Sequence, residues 1–483
     1  MKILIATPEA VPYAKTGGLA DVTGSLLNEF REMGEDASLI LPLYKSTREN
    51  FKLFRTDKVI KTVMGETSIT GEVWLSENSD RPTAYFIGCE ELYGRPELYG
   101  TARGDYPDNA VRFAFFSKAV LEMCTSLDIR PDLIHCNDWQ TAMLPLYLKT
   151  LYAATDFFKK TATVYTFHNL GYQGLFEMED MKYTGVGWDY FTPEGIEFYG
   201  KVNFMKAGLI YADLLNTVSE TYAQEVLEKE NGFGLDGVLR QRRDDLYGVL
   251  NGLDYNEWNP EQDALIPARY SVNDLRGKAQ CKRILLKETG LGDGKSPLFG
   301  IISRLSGQKG IDLVADSIDE LVSLGVKIFI LGRGEAYYQN LLKDISRRHK
   351  GDVFVKVGFE DSLAHLVYAG CDFFLMPSRY EPCGLGQLIA LRYGAIPVAR
   401  KTGGLADTVD DYDSAAPKGT GFLFSDYSSS ALKGAVKRAL SVYGDRKKMR
   451  KMISDAMRAD FSWKKSAEKY LELYKKVIEK VRT

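Results

Sequence analysis

An α/β protein of two doubly wound domains is the fold class the sequence predicts, and three observations carry it. The chain has 483 residues, more than a single core usually organises. A rhythm of short β-rich runs and helical stretches starts at the N-terminus and starts again past the middle. The heptapeptide Lys-Thr-Gly-Gly-Leu-Ala-Asp stands at 15–21 and again at 401–407, a coincidence expected about once in ten thousand such chains. Two copies near opposite ends do not make a solenoid. They read as one glycine-rich loop in each of two domains.

The elements follow in order. Residues 2–6, 37–41, 133–136 and 163–167 are short apolar runs of the kind that fill a parallel sheet, with helical patterns over 19–33 and 109–126 between them. Five more such runs lie at 298–303, 326–331, 353–357, 373–377 and 396–399, separated by helical patterns at 311–324, 336–349 and 363–369. The break is expected within 247–260, where Gly-Val-Leu-Asn-Gly-Leu-Asp runs into Asn-Pro. This gives a first domain over 1–248 and a second over 249–462. The Lys-rich tail has apolar residues at helical spacing, so a helix over 463–483 is expected to pack back on the first domain. In such sheets ligands bind at the carboxyl ends of the strands, and every distinctive loop of this chain follows a strand at that end. The expectation is two domains facing one deep cleft.

Composition narrows the function. Hydrophobic residues make up 45% and charged residues 26%, with a formal net charge of -3. These are ordinary values for a soluble globular protein, and they point away from nucleic acid as a partner. No signal segment or membrane-length apolar run is present. Six cysteines, Cys89, Cys124, Cys136, Cys281, Cys371 and Cys383, lack the paired short spacings of a zinc site or a disulfide framework. A reducing compartment is expected: the cytoplasm, or a plastid for a mature plant-type chain.

Three constellations can carry chemistry. In Ser378-Arg-Tyr-Glu-Pro-Cys-Gly-Leu-Gly-Gln387 a carboxylate, Glu381, stands before a glycine-opened helix. Such a carboxylate can hold sugar hydroxyls while helix N–H groups take phosphate. Gly384 and Gly386 resemble part of a dinucleotide fingerprint, but Ile389 replaces the third glycine and the reading is discarded. In Ser303-Arg-Leu-Ser-Gly-Gln-Lys309-Gly the cations Arg304 and Lys309 suit a diphosphate leaving group. In Thr166-Phe-His-Asn-Leu-Gly-Tyr-Gln-Gly174 the conspicuous residue is His168, one of four histidines in the chain, at a strand end. A further strand ends in His135-Cys-Asn-Asp138-Trp139, with His135 inside the sheet and Asp138 and Trp139 at the cleft. No Gly-x-Ser-x-Gly elbow supports a serine hydrolase. The acidic pair Asp411 and Asp413 reads as solvated surface, not as a metal site.

Together these motifs resemble the bacterial-type glycogen synthases and plant starch synthases, retaining glycosyltransferases of the GT-B type and family GT5. The resemblance covers essentially the whole chain. It runs through Glu9, 15–21, Leu92-Tyr93-Gly-Arg-Pro, 135–139, 166–174, Asn251-Gly-Leu-Asp254, 303–310, 378–387 and 402–407. It implies that Lys15, Arg304 and Lys309 contact the nucleotide diphosphate, cradled by Gly18 and the amides of Leu385 and Gly386. It implies that His168, Asn169, Asp138 and Glu381 hold the transferred glucose, with Glu381, His168, Lys15, Arg304, Lys309 and Asp138 as the catalytic set. Asp21, Asn251, Cys383, Gly384, Thr402, Gly403 and Gly404 join the donor site. Glu9, Tyr93 and Trp139 join the acceptor side or cleft. Phe359 takes the place of a common tyrosine near the adenine, keeping a stack and losing a hydroxyl. Gly386 stands where a threonine is common, so only its backbone N–H is available.

The reaction implied is transfer of glucose from ADP-glucose to the non-reducing end of an α-1,4-glucan with retention. The acceptor hydroxyl attacks on the same face, and the departing phosphate takes part in removing its proton. No metal, pyridoxal phosphate or other cofactor is expected. A glucan phosphorylase shares the architecture but needs a pyridoxal-phosphate lysine and a longer chain. A non-catalytic glucan-binding protein has no use for Lys15, His168, Arg304, Lys309 and Glu381 together.

Overall fold

The computed structural model describes residues 1–77, 79, 82–101, 103–292, 294–415 and 418–483. The chain divides into two compact units: Met1–Val218 with Ala223–Gly252 and Trp463–Thr483, and Ser219–Tyr222 with Leu253–Ser462. The chain crosses at Gly252, slightly beyond the expected break after 248. Leu253 N donates to Phe461 O over 2.7 Å and pairs with Ser462, so the outgoing and returning strands lie side by side and fix the crossing there.

The first unit is built on a nine-stranded sheet. Its strands are β1 (Lys2–Ala6), β2 (Asp36–Pro42), β3 (Phe54–Met64), β4 (Thr67–Leu75), β5 (Ala84–Gly88), β6 (Leu133–Asn137), β7 (Ala162–Phe167), β8 (Leu214–Thr217) and β9 (Leu246–Gly248). Their order is β9-β8-β7-β6-β1-β2-β5-β4-β3. All neighbours are parallel except β3 with β4 and β4 with β5. The parallel strands β1, β2, β6 and β7 are buried apolar runs, which is why they were legible, whereas the equally parallel β5, β8 and β9 fall outside the expected runs. In β3 exposed Arg55, Asp57 and Lys61 alternate with more buried neighbours, a one-sided edge strand that the search for apolar runs passes over. Helix α1 (Gly18–Glu32) buries Leu19, Val22, Leu26, Leu27 and Phe30, and α2 (Asn109–Ser126) runs before β6.

The second unit holds a six-stranded sheet, wholly parallel. Its strands are β10 (Leu298–Ile302), β11 (Lys327–Gly332), β12 (Val353–Val357), β13 (Phe373–Met376), β14 (Ile396–Arg400) and β15 (Phe422–Phe424), ordered β12-β11-β10-β13-β14-β15. The short β15 adds one strand to the five expected. Between strands lie α3 (Ile311–Ser323), α4 (Ala336–Arg348), α5 (Gly386–Arg392) and α6 (Gly403–Thr408).

The last helix, α7 (Trp463–Arg482), belongs to the first unit. Trp463, Tyr470, Tyr474 and Val477 enter the core formed by Ile3, Leu26 and Phe30. Burying each of the three aromatics stabilises the packing by about 2–3 kcal/mol. The two tyrosine hydroxyls are satisfied as well: Tyr474 OH lies 2.8 Å from His135 Nδ1, and Asn216 Nδ2 donates to Tyr470 OH over 3.0 Å. Among the described residues no helix is long and apolar enough to cross a membrane.

Candidate active site

Each unit carries its own cluster at the carboxyl ends of its strands. In the first unit the chain leaves β1 and reaches the first heptapeptide, whose last four residues open α1. Lys15, Thr16, Gly17 and Gly18 are exposed, while Leu19 and Ala20 are buried as the helix begins. Lys15 Nζ pairs with Asp21 Oδ1 at 2.7 Å, with 52% of the lysine side chain still exposed. Nothing lies within 4 Å of a Cβ built on Gly17. The loop therefore presents a cation and open space together, while its Thr16 and Gly17 amides turn inward to Glu9.

The ends of β6 and β7 supply the rest of this cluster. Asp138 sits at φ 57, ψ -179, a backbone region costing an ordinary residue about 1–3 kcal/mol and typical of functional sites. Its carboxylate accepts the His168 N–H over 2.7 Å. His168 Nε2 lies 3.0 Å from Asn137 Oδ1. Burial pushes the Asp138 carboxyl up to about 7, against the His168 N–H bond and with a smaller contribution from the Glu9 charge. Burial pulls His168 down to about 3, so its imidazole is neutral near pH 7. Asn169 Oδ1 accepts the Gly171 N–H over 3.0 Å, which shapes the turn beyond. Trp139 is half-buried, edge-on to Phe113 and Phe176. Asn251 is nearly buried, and its Oδ1 has no hydrogen-bond partner.

Two expected site residues are not free to meet a ligand. Tyr93 is fully buried, and its hydroxyl donates to Arg112 O over 2.7 Å. It is a core residue beneath the buried Arg112 guanidinium, so it does not line the acceptor side. Glu9 is buried too, and its carboxylate is filled by Thr16, Gly17 and Tyr99. Tyr99 carries no sequence signal of its own. Its partner Glu9 lies 90 positions away, and no local pattern reveals such a pairing.

In the second unit the loops after β10 and β13 are tied together. Arg379 N donates to Gln308 O over 2.8 Å. Lys309 Nζ meets Glu381 Oε2 at 2.6 Å, the two side chains being 18% and 6% exposed. Ser378 Oγ donates to the same oxygen over 3.0 Å. An ion pair this enclosed has surrendered hydration and needs both partners. Arg304 is exposed beside it, 3.4 Å from Gln308 Oε1. Beyond Glu381, the nearly buried Cys383 leads into Gly384 and Leu385, and Gly386 opens α5. A Cβ at Gly386 would approach the Phe374 ring to 3.1 Å, so a larger residue there requires Phe374 to yield. Gln387 closes the 378–387 motif without an expected role. Its Nε2 donates to Cys383 O and Gly384 O, both at 2.9 Å, and so sets the loop from beneath.

The second heptapeptide underpins Glu381 from the other side. Thr402, Gly403 and Gly404 are buried. Gly404 N donates to Glu381 O and to Pro382 O, both over 3.1 Å. A Cβ on Gly403 would sit 2.0 Å from Glu381 O, and one on Gly404 2.1 Å from Cys383 O. Phe359, after β12, is 73% exposed. Asp411 is engaged by Arg438 and by Leu423 N, and among the described residues no group of three or more His, Cys, Asp or Glu is placed to hold a metal.

Two α/β units, each with basic, glycine-rich or acidic loops at its strand ends, have the architecture of a GT-B glycosyltransferase. The fold is shared with sucrose-phosphate synthase of Thermosynechococcus elongatus at TM-score 0.60 and 17% identity, 99% of each chain being covered. The starch synthase catalytic domain family matches residues 2–241, and the glycosyl transferases group 1 family matches 284–458. Glycogen synthases of Thermodesulfovibrio yellowstonii and Syntrophotalea carbinolica are each 46% identical over 99% of this chain, covering 98% and 99% of those proteins. The catalytic domain of starch synthase IV from Arabidopsis thaliana, bound to ADP and acarbose, superposes at TM-score 0.88 with 33% identity over 99% of both chains. The chain belongs to the family of bacterial glycogen synthases and starch synthases.

Proposed function

We propose that the protein transfers glucose from ADP-glucose to the non-reducing end of an α-1,4-glucan, with retention of configuration. The observation that supports this most is the enclosed Lys309–Glu381–Ser378 cluster, braced by the buried glycines of the second heptapeptide, in a chain so similar to glycogen synthases. The starch synthase neighbour binds ADP and acarbose, in keeping with a nucleotide-sugar donor and a glucan acceptor.

In this reading Lys15, Arg304 and Lys309 neutralise the diphosphate as the sugar–phosphate bond breaks, and the amides of Gly18, Leu385 and Gly386 take its oxygens. Glu381 accepts hydrogen bonds from glucose hydroxyls. His168 is neutral and its Nε2–H is turned to Asn137 Oδ1, so its Nδ1 can accept from a hydroxyl without bringing a second positive charge to the sugar. Asp138 and Asn169 complete the sugar contacts. Phe359 offers its exposed face to the base, and Asn251 offers its unsatisfied oxygen to the donor. Asp21 sets the Lys15 ammonium, while Thr402, Gly403, Gly404, Cys383 and Gly384 shape the Glu381 loop. Trp139 contributes an aromatic wall on the acceptor side. Side-chain cations do the electrostatic work, so neither a metal nor pyridoxal phosphate takes part. Retention follows from same-face attack without a covalent intermediate. All six cysteines are buried, which suits a reducing compartment such as the cytoplasm.

The test is an assay of the purified chain with glycogen and either ADP-glucose or UDP-glucose, before and after dialysis against a chelator. Faster transfer from ADP-glucose, undiminished by the chelator, is expected. No transfer from either donor, or a metal requirement, overturns the reading.

A further inference from the structure

Glu9 follows β1 by a few residues and is 4% exposed. Its backbone is already held: its carbonyl accepts from Thr7 Oγ1 over 2.8 Å and from Thr23 Oγ1 of α1 over 2.7 Å. Its carboxylate then takes four donors. Thr16 N and Gly17 N, the latter at 3.1 Å, reach Oε2. Thr16 Oγ1 and Tyr99 OH, each at 2.7 Å, reach Oε1. A carboxylate offers about four lone-pair sites, so this one has none left for a sugar hydroxyl. Gly17 is the residue before α1 and has no side chain with which to cap it. Glu9, seven and eight residues upstream of the two amides it binds, supplies an anion at the helix start.

Tyr99 is fixed in turn. Its carbonyl accepts from Asn109 Nδ2 and Tyr106 N, both at 2.9 Å. The fully buried Arg112 holds the neighbouring Leu98 O over 2.8 Å and Leu92 O over 2.8 Å. A rigid buried scaffold thus reaches the glycine-rich loop through one hydroxyl and one carboxylate.

We propose that Glu9 and Tyr99 are a positioning pair that sets the shape of the loop carrying Lys15, and that neither touches the acceptor. That Lys15 serves the donor rests on the proposed transferase reading; that Glu9 shapes the loop does not. Misplacing a group on such a loop by about 1 Å can cost about 100-fold in rate. Thr16 and Gly17 are at the surface, so water can take over their amides when Glu9 is cut back and the fold survives.

The experiment uses the full chain with Glu9→Ala, Glu9→Gln and Tyr99→Phe. Glu9→Ala should lower kcat about 100-fold while KM for glycogen stays put, and Tyr99→Phe, which removes one bond of four, should lower it several-fold less. Acetate or formate should restore activity to Glu9→Ala in a concentration-dependent way, and should not restore Lys15→Ala. A rise in the glycogen KM at unchanged kcat, or no rescue by either anion, overturns the proposal. Hydrogen exchange needs no turnover: amides of the 14–19 segment should exchange faster in Glu9→Ala, with α2 unaffected. Unchanged exchange there sinks the positioning role, while a wild-type chain without transferase activity but with this exchange pattern sinks only the enzymatic reading.

Discussion

The same seven residues occupy two loops of this molecule and are used in opposite ways. At 15–21 the Thr-Gly-Gly segment is exposed, with an internal carboxylate behind it and open space in front of Gly17. At 401–407 it is buried, and the space that a ligand could fill is filled by the backbone of Glu381 and Cys383. The two aspartates diverge as well. Asp21 pairs with the lysine of its own heptapeptide, whereas Asp407 accepts from Thr221 N over 3.0 Å and from Thr221 Oγ1. A motif is a set of capacities, and the surrounding chain selects among them. Glycine serves the first loop by leaving room outside it and the second by letting two backbones touch.

The largest expected effect separates the two lysines. Lys15→Ala should lower glucosyl transfer by at least about 100-fold, as loss of a preorganised charge at a leaving group does. Lys401→Ala removes an exposed cation, and steady-state kinetics should show little change. Equal losses would break the comparison at its root.

The glycines sharpen it through stability. Gly404→Ala places a methyl 2.1 Å from Cys383 O, and overpacking against backbone should cost about 2–4 kcal/mol. Gly17→Ala has an extended φ of -150 and an empty surround, so denaturant unfolding should move by about 0.5 kcal/mol or less. A large loss at Gly17 would show that the first loop is packed rather than open.

Acidity distinguishes the first cluster. His135 and His168 are both held down to about 3 by burial, and Asp138 is held up to about 7. Between pH 6.5 and 4 the unfolded chain protonates both imidazoles while the folded chain protonates Asp138, a net excess of one proton in the unfolded state. Stability should therefore fall on acidification by about 1.4 kcal/mol per pH unit from these groups. In His168→Gln that excess vanishes and their contribution should be nearly flat; an unchanged slope would assign the acid lability elsewhere. The smallest effect is expected at the aspartates. Asp407→Ala should cost about 1 kcal/mol for its two lost bonds, and Asp21→Ala about 0.5 kcal/mol or less, its partner being solvated. Thermal unfolding of both variants checks the order.

Much of this protein was written locally. Apolar runs buried on both faces mark parallel strands wherever they stand, so the strands ending at Ala6, Phe167 and Met376 were legible from composition alone. The motifs that follow them identified the family, because loops at strand ends keep their residues close in sequence. The polar-faced edge strand at Phe54–Met64 was not legible, since it buries only one side. Nor were the burial of Tyr93 or the filling of the Glu9 carboxylate by Tyr99; the two heptapeptides are expected to differ, but the close packing of Gly403 and Gly404 on the backbone of Glu381 and Cys383 is not visible in their sequence. Sequence determines which groups can donate, accept or leave space. Whether a carboxylate meets a ligand or a tyrosine 90 positions away, and whether a glycine faces water or backbone, depends on which distant segments the cores press together. Only the tertiary structure decides that, because burial and hydrogen-bond satisfaction are properties of the packed whole.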